Sequence, residues 1–472
     1  MAKTCIICSA PAGSNEHVFP AAFGGRRTNR GIYCHTHNQA FGRHVAALLN
    51  SLDIVNAVIG VIPDRHKQVR PAPATAEDGE RYLITKGTAN IAPPRPLQET
   101  PELVGKLVQM RFADETQAAR WIAQQEKAGY KLDIQSPGPV RTQIVVHPLR
   151  AERVMGDEAF MRSIVYLALT FLAHGFPNLA RAQTLAAARD LIDKDGAVDD
   201  RVWWEPPETA EQLEPNPFTS GHTVVIGPDA DGRRVCAFIS FYGALHLAVN
   251  LGTLDEKASF GQRFTTHIDP LASSPPDDIV EIREDGKFLA LSKLETAREY
   301  LHGLRSAQAC NPLGAVFRTA SQDELKATCE VLLLELIAAW SMPTHNRVDR
   351  ILKLLTEHHQ RIFNLMLEGI RGFLQSASDL PKPVHVIFET FIAADDSSPR
   401  GISLPSEAAL TICTAALTDS IQDRLNAGTL DATSLANLLG GSDGVGIVLR
   451  TLTNIVAYSL PKMHTANTNG LA

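Results

Sequence analysis

The sequence predicts an α+β chain of several domains, and three observations carry that prediction. The first 60 residues concentrate cysteine and histidine around short apolar pieces. Residues 222–252 alternate in the two-residue rhythm of strands, interrupted by turn residues. From about residue 289 onward, apolar positions return at helical spacing. The length of 472 residues fits two to four domains of about 100–200 residues each. The expected divisions are 1–60, a Cys/His-rich head; 61–150, a proline-rich connector with a small α+β region; 151–288, an α+β region with a β-meander; and 289–472, a mainly helical region.

Taken in order, the head ends in a helical stretch, "FGRHVAALLNSLDIVNAVIGV", whose stripe of Val45, Leu48, Leu49, Leu52 and Val55 predicts packing against the body. The connectors "VRPAPATAEDGE" and "APPRPLQETPE" flank a strand candidate, "RYLITKG". Asp114 is placed to cap a helix that runs through Trp121 and stops at Gly129. "TQIVVHPL" is a further strand candidate. Asp157 caps the next helix, Phe160, Ile164, Leu167 and Phe171 line it, and Gly175 ends it. "ARAQTLAAARDLI" predicts a second helix.

"HTVVIG", "RVCAFISFYG" and "ALHLAVNLG" predict the meander, with "PDADGR" as the first turn. Asp229 and Asp231 loosely resemble a calcium loop, but the spacing to a terminal Glu is wrong, so a hairpin turn is the expectation. The later helices include "ELKATCEVLLLELIAAW", with Leu325, Cys329, Leu332, Leu336 and Trp340 on one face, and "RVDRILKLLTEHHQRIFNLMLEGIRGFL". "VHVIFETFIA" reads as a strand-like interruption and "TANTNGLA" as a frayed tail. No internal repeat stands out.

Hydrophobic content of 44% with 21% charged residues excludes a chain disordered throughout. The net charge of −7 excludes a globally basic nucleic-acid binder. The head is different: Lys3, Arg26, Arg27, Arg30 and Arg43 stand against Glu16 alone among its first 50 residues. A basic head on an acidic body suits a polyanion meeting the head. The first residues lack a signal-peptide core, and the longest apolar run, Ile164–Ala173, is about half of what a bilayer crossing needs. The expectation is a cytoplasmic protein with no membrane partner, where clustered cysteines indicate metal rather than disulfides. Of the seven cysteines, Cys236, Cys310, Cys329 and Cys413 stand singly in apolar surroundings and read as buried thiols.

The other three cluster. Cys5-x-x-Cys8 offers two sulfurs to one centre, and Cys34-x-x-His37 offers two more ligands after 25 intervening residues. Together they form a Cys₃His set of the kind that binds structural zinc in a segment too small for its own core. His35 is a rival for the place of His37. Between the half-sites lie "EHVFP" and "FGGRRTNRGIYC", and Asn38 follows the second.

Residues 4–45 resemble the zinc-stapled branch of the HNH endonuclease family in order and spacing: Cys5/Cys8, Glu16-His17, Gly24-Gly25, Asn29, Cys34/His37 and Asn38. Glu16 stands where Asp is more usual, and Asn38 where the final His of the motif often stands. The resemblance implies a ββα-metal head. It implies that Glu16 and Asn38 hold a catalytic Mg²⁺ or Mn²⁺, with oxygen donors suited to a hard cation. It further implies that His17 takes a proton from the attacking water and that Asn29 orients His17 or braces the loop. Arg26, Arg27 and Arg30 are expected to meet DNA phosphates. His44, one to two turns along the helix, is a rival metal ligand or a surface residue. His222, His246, His267, His358 and His359 read as structural.

The function expected from this resemblance is a metal-dependent endonuclease cutting DNA. Its large body would regulate or sense, bind an activating partner or ligand, or form a homo-oligomer. For bacterial HNH proteins as a class, defence against phage or mobile DNA is the expectation. Two alternatives need less of the motif. A non-catalytic zinc module binding nucleic acid or protein has no use for Glu16, His17 and Asn38 together. A vestigial head on an assembly subunit, recruited for instance by a guide-carrying partner, uses only the body.

Overall fold

The structure is a computed structural model of the chain and describes residues 3–76, 79–86, 88–97, 110–132, 149–254, 260–272, 279–306, 312–358, single positions up to 373, and 406–451. The architecture is α+β. The head holds strands β1 (Glu16–His17) and β2 (Thr28–Asn29) and helices α1 (His35–Ala40) and α2 (Gly42–Ile59). Strands β3 (Ala72–Thr75), β4 (Arg81–Thr85) and β5 (Thr88–Ile91) follow, then α3 (Glu115–Lys127), α4 (Glu158–Gly175) and α5 (Ala186–Asp193). Strand β6 (Val202–Trp204) and the short α6 (Pro207–Glu211) precede β7 (His222–Pro228), β8 (Arg234–Phe241), β9 (Leu245–Thr253), β10 (Gln262–Ile268) and β11 (Ile279–Asp285). Helices α7 (Leu294–Ser306), α8 (Leu313–Trp340) and α9 (Thr344–Glu357) come next, with further helices at Ser406–Ala427 and Ala432–Gly440. No helix among the described residues is long and apolar enough to cross a membrane.

Tertiary contacts divide the chain into two units. The first comprises Met1–Ala74, Leu83–Lys86 and Ala151–Ala320; the second comprises Thr75–Tyr82, Gly87–Arg150 and Ser321–Ala472. The Cys/His-rich head is therefore built into the same unit as the meander.

Within the first unit, a six-stranded sheet runs in the order β11-β10-β7-β8-β9-β6. The expected meander is its centre: Thr223–Pro228 pairs antiparallel with Val235–Ser240, and β8 pairs antiparallel with β9. The "PDADGR" stretch is the turn. Asp229 N–H donates to Arg234 O at 3.0 Å, and the Asp229 carboxylate accepts the Arg233 and Arg234 N–H groups. Helix α4 is buried at every position from Ser163 to Ala173, packing on β7, β8 and β9 and against α2, which is why that stretch is nearly all apolar. Asp157 caps it by accepting Phe160 N–H at 2.7 Å. The second helix expected here is shorter than its sequence suggests: single 3-10 turns at Leu179–Arg181 and Gln183–Leu185 precede α5.

The head joins this core through its aromatic side chains. Phe19, Phe23, Tyr33 and Phe41 are all buried. Phe19 lies 6.2 Å from Phe171 and 6.1 Å from Phe241, and stacks on His222 at 4.7 Å. Leu48, Leu52 and Val55 of the predicted α2 stripe are buried, while Val45 and Leu49 are only partly covered. The Gly24-Gly25 pair is sterically required. Gly24 has φ +84°, and a Cβ on Gly25 would lie 2.0 Å from Phe19 O, inside any permitted contact.

In the second unit, Cys329, Leu332 and Leu336 of α8 and Ile351, Leu354 and Leu355 of α9 share a core with Leu417, Ile421, Leu435 and Leu438. Asp114 caps α3 as expected, accepting Gln117 N–H at 2.6 Å. His358 contacts Glu335 at 3.0 Å. "VHVIFETFIA", "TANTNGLA", Cys310, His359, the side chain of Cys413 and all but the last residue of "TQIVVHPL" lie outside the described residues.

Candidate functional site

The chain turns back on itself immediately after Thr4. Cys5 N–H donates to Ala10 O at 2.7 Å, closing the loop that carries Cys5 and Cys8. Cys34 occupies the N-cap of α1, and His37 follows within its first turn. The four ligand atoms lie within 4.8 Å of one another. Cys8 Sγ and Cys34 Sγ are 3.8 Å apart, Cys5 Sγ and His37 Nδ1 3.7 Å, and Cys34 Sγ and His37 Nδ1 3.2 Å. A tetrahedral ion with bonds of about 2.3 Å sets sulfurs about 3.8 Å apart, so the set can hold a metal such as zinc.

His37, not His35, completes the set. Its Nε2 lies 3.3 Å from Asp193 Oδ1, a second carboxylate–imidazole contact of the sort that fixes the ring of a metal-bound histidine. Burial alone would raise the Cys34 thiol, but hydrogen bonds from His37 and the neighbouring thiols bring it down to about 7, toward the thiolate that a metal needs.

The hairpin beside this cluster pairs Glu16 with Asn29 and His17 with Thr28. Glu16 is 7% exposed, and its Oε1 accepts the hydroxyl of Tyr166 from α4. Burial pushes its carboxyl up to about 7, with the Tyr166 hydrogen bond pulling the other way.

His17 Nε2 lies 3.0 Å from Asp64 Oδ2. Burial would raise Asp64, but His17, Arg65 and Arg26 outweigh it and hold the carboxyl below its ordinary value. An ionised carboxylate only accepts hydrogen bonds, so the facing Nε2 carries the proton and a neutral His17 keeps its lone pair on Nδ1. Asn38 lies inside α1, four residues after the Cys34 N-cap. Its Nδ2 donates to Ser14 Oγ at 2.7 Å, which leaves Oδ1 as the available donor atom.

Glu16, His17, Asn38 and Asp64 all line one cavity of about 800 Å³, and Val45 and Leu49 of α2 form part of its apolar wall. Glu16 and Asn38 each bring to this lining an oxygen of the kind a hard cation such as Mg²⁺ takes.

Other expected site residues are placed elsewhere. Asn29 does not line the cavity. Its Nδ2 contacts His174 Nδ1 at 3.0 Å and its Oδ1 accepts Gly31 N–H at 2.7 Å, so it braces the turn. Arg26 donates to Ala272 O, Arg27 pairs with Glu281 at 3.0 Å, and Arg30 donates to Asn15 Oδ1 at 2.6 Å. His44 is neither a surface residue nor part of the Cys₃His set. It is 3% exposed, its Nε2 lies 3.0 Å from Ile192 O, and burial lowers it to about 4.

Comparison with protein-family models, with curated proteins and with solved structures finds no match. The residues that sequence reasoning missed are Asp64, Tyr166 and Asp193. Tyr166 left one faint signal, being one of two hydroxyls, with Thr170, inside the apolar run Ile164–Ala173. Asp64 and Asp193 stand 47 and 156 residues along the chain from His17 and His37, and nothing in the spacing links them.

Proposed function

We propose that this chain is a metal-dependent endonuclease of the HNH type that hydrolyses DNA phosphodiester bonds. One observation carries the reading: beside a Cys₃His cluster, a two-stranded hairpin and a helix bring Glu16, His17 and Asn38 to the lining of one cavity. That arrangement is compatible with the ββα-metal head implied by the resemblance of residues 4–45. In this reading the Cys₃His set holds structural zinc, and Glu16 and Asn38 hold Mg²⁺ or Mn²⁺. When bound, the divalent ion offsets the negative charge that builds on the phosphoryl oxygens.

The chain's own residues do the rest. Asp64 holds the His17 ring by accepting from Nε2, so that Nδ1 faces the reaction as a base. Nδ1 takes one proton from the attacking water as its oxygen bonds to phosphorus. The P–O bond on the far side breaks, and the leaving 3′ oxygen takes a proton from solvent. Tyr166 donates its hydroxyl to the Glu16 carboxyl and holds it in place at the wall. The alternative, a non-catalytic zinc module, accounts for the cluster but leaves the three cavity residues without a task.

Supercoiled plasmid incubated with the protein and Mg²⁺ or Mn²⁺ is expected to be nicked or linearised. His17→Ala should lower that rate by at least about 100-fold, the span of a lost general base, while melting temperature and zinc content stay at wild-type values. Equal cleavage by the variant, or no cleavage by wild type with any divalent ion, would remove the nuclease reading and leave the binding module.

A further inference from the structure

We infer that the exposed basic segment Arg65–Arg70, and not the arginines of the β1–β2 hairpin, grips the phosphate backbone of DNA entering the cavity; this rests on the nuclease reading above. The hairpin arginines are already engaged. Arg26 is largely covered, with a side chain 12% exposed, bonded to Ala272 O and 3.7 Å from Asp64. Arg27 sits in an ion pair with Glu281, and Arg30 is bonded to Asn15. Moving any of them onto a phosphate means breaking an existing contact, and none lines the cavity.

The basic side chains of the segment after α2 are more exposed. Asp64 fastens it at one end, directly to His17. Beyond that point Arg65, with φ +64°, leaves its side chain 74% exposed, its Nε 3.6 Å from the Asp64 carboxylate in a solvent-exposed ion pair. Lys67 and Arg70 are exposed, and no ion pair involves either among the described residues. Arg70 lines the cavity together with His66 and Gln68. Arg70 lines the cavity with the carboxylates of Glu16, Asp53 and Asp64, which Tyr166, Arg153 and the trio His17, Arg26 and Arg65 already engage, and Arg65 and Lys67 continue the basic run beside it.

The reach is suitable. Six residues from Asp64 to Arg70 span at most about 20 Å, which matches about six nucleotides of a strand rising about 3.4 Å each. A backbone lying along the segment would deliver a phosphate to His17 without any base being read. Contacts of this kind give affinity and register but no sequence preference.

The test is binding without turnover: zinc-loaded protein, no added magnesium, and fluorescently labelled single-stranded and duplex DNA followed by anisotropy at rising salt. Three phosphate contacts predict a slope of log affinity on log salt of about −2.7. Wild type should therefore weaken about 40-fold between about 50 and 200 mM salt. The Arg65→Gln/Lys67→Gln/Arg70→Gln variant should weaken less than about threefold over that range, with weaker binding throughout. Arg27→Gln/Arg30→Gln should follow wild type. Zinc content and melting temperature confirm that each variant is folded.

A triple variant that keeps the wild-type slope, or a hairpin variant that loses it, overturns the inference. If wild type cuts plasmid with magnesium yet the triple variant binds normally, only this inference falls. If wild type neither binds nor cuts, the nuclease reading falls with it.

Discussion

A Cys8→Ser variant is expected to lose its metal and, with it, the fold of the head. Cys8 is exposed, so the substitution disturbs little apolar packing, and a ligand is what it removes. The residues around the cluster form two-residue strands and a six-residue first helix, too little regular structure to hold the loop from Cys8 to Cys34 on its own. Metal binding free energy is folding free energy in such segments, about 10–16 kcal/mol for zinc-finger peptides near neutral pH. Losing even about 4 kcal/mol of it should lower the melting temperature of the first unit by about 10 °C.

Metal analysis should read one zinc per wild-type chain and none in Cys8→Ser. Cys236→Ser is the control, since that thiol is buried in β8 away from the cluster and should leave zinc in place. The loss differs in kind from His17→Ala, which should remove cleavage and keep the fold. A Cys8→Ser protein that retains one zinc and the wild-type melting curve would mean that the cluster is not a metal site.

What the sequence made legible were features with a local cause. Asp114 and Asp157 cap their helices because a carboxylate three residues before an N–H reaches it without help from the rest of the chain. "PDADGR" turns because Asp229 can bond its own backbone neighbours. The Cys₃His set was legible because two half-sites at tight spacing leave few other chemistries, and the hairpin between them follows from Gly24-Gly25 and the apolar pieces around it.

What was not legible depends on distance along the chain. Strands β6, β10 and β11 extend the meander to six strands, but the charges of "IVEIRED" at the sheet edge and the polar residues of "QRFTTHI" blur the two-residue rhythm. His44 lies on the predicted amphipathic helix, yet Ile192, 148 residues away, makes it a core residue. The hairpin arginines have the expected charge and the expected place, but Ala272 and Glu281 arrive from the far end of the unit to engage two of them. For the same reason Asp64 reaches His17, and it is the fold, not the motif, that supplies this partner.

Buried histidines predict that mild acid destabilises the first unit. Burial lowers His44 to about 4, His222 to about 3 and His246 to about 4, against an ordinary 6.5. A base whose folded value is depressed costs nothing above its unfolded value. Below it, the unfolded chain takes up a proton that the folded chain refuses. At pH 5, about 1.5 units under 6.5, each of the three therefore costs about 2 kcal/mol.

Glu16 has the opposite sign. Its folded value of about 7 lies above the ordinary 4.5, so the folded chain binds a proton that the unfolded chain has not yet taken up. Acidification from pH 7 to 5 thereby returns about 2 kcal/mol. The balance is a loss of about 4 kcal/mol, or about 10 °C of melting temperature, measured in excess zinc with metal content checked at each pH. His246→Phe should shrink the drop by about 2 kcal/mol: its Nδ1 has no partner among the described residues, and Phe keeps the stack on Phe238. Glu16→Gln should deepen it to about 6 kcal/mol. A melting temperature flat between pH 7 and 5, with zinc retained, would show that these imidazoles take up protons in the folded state and are not enclosed as described.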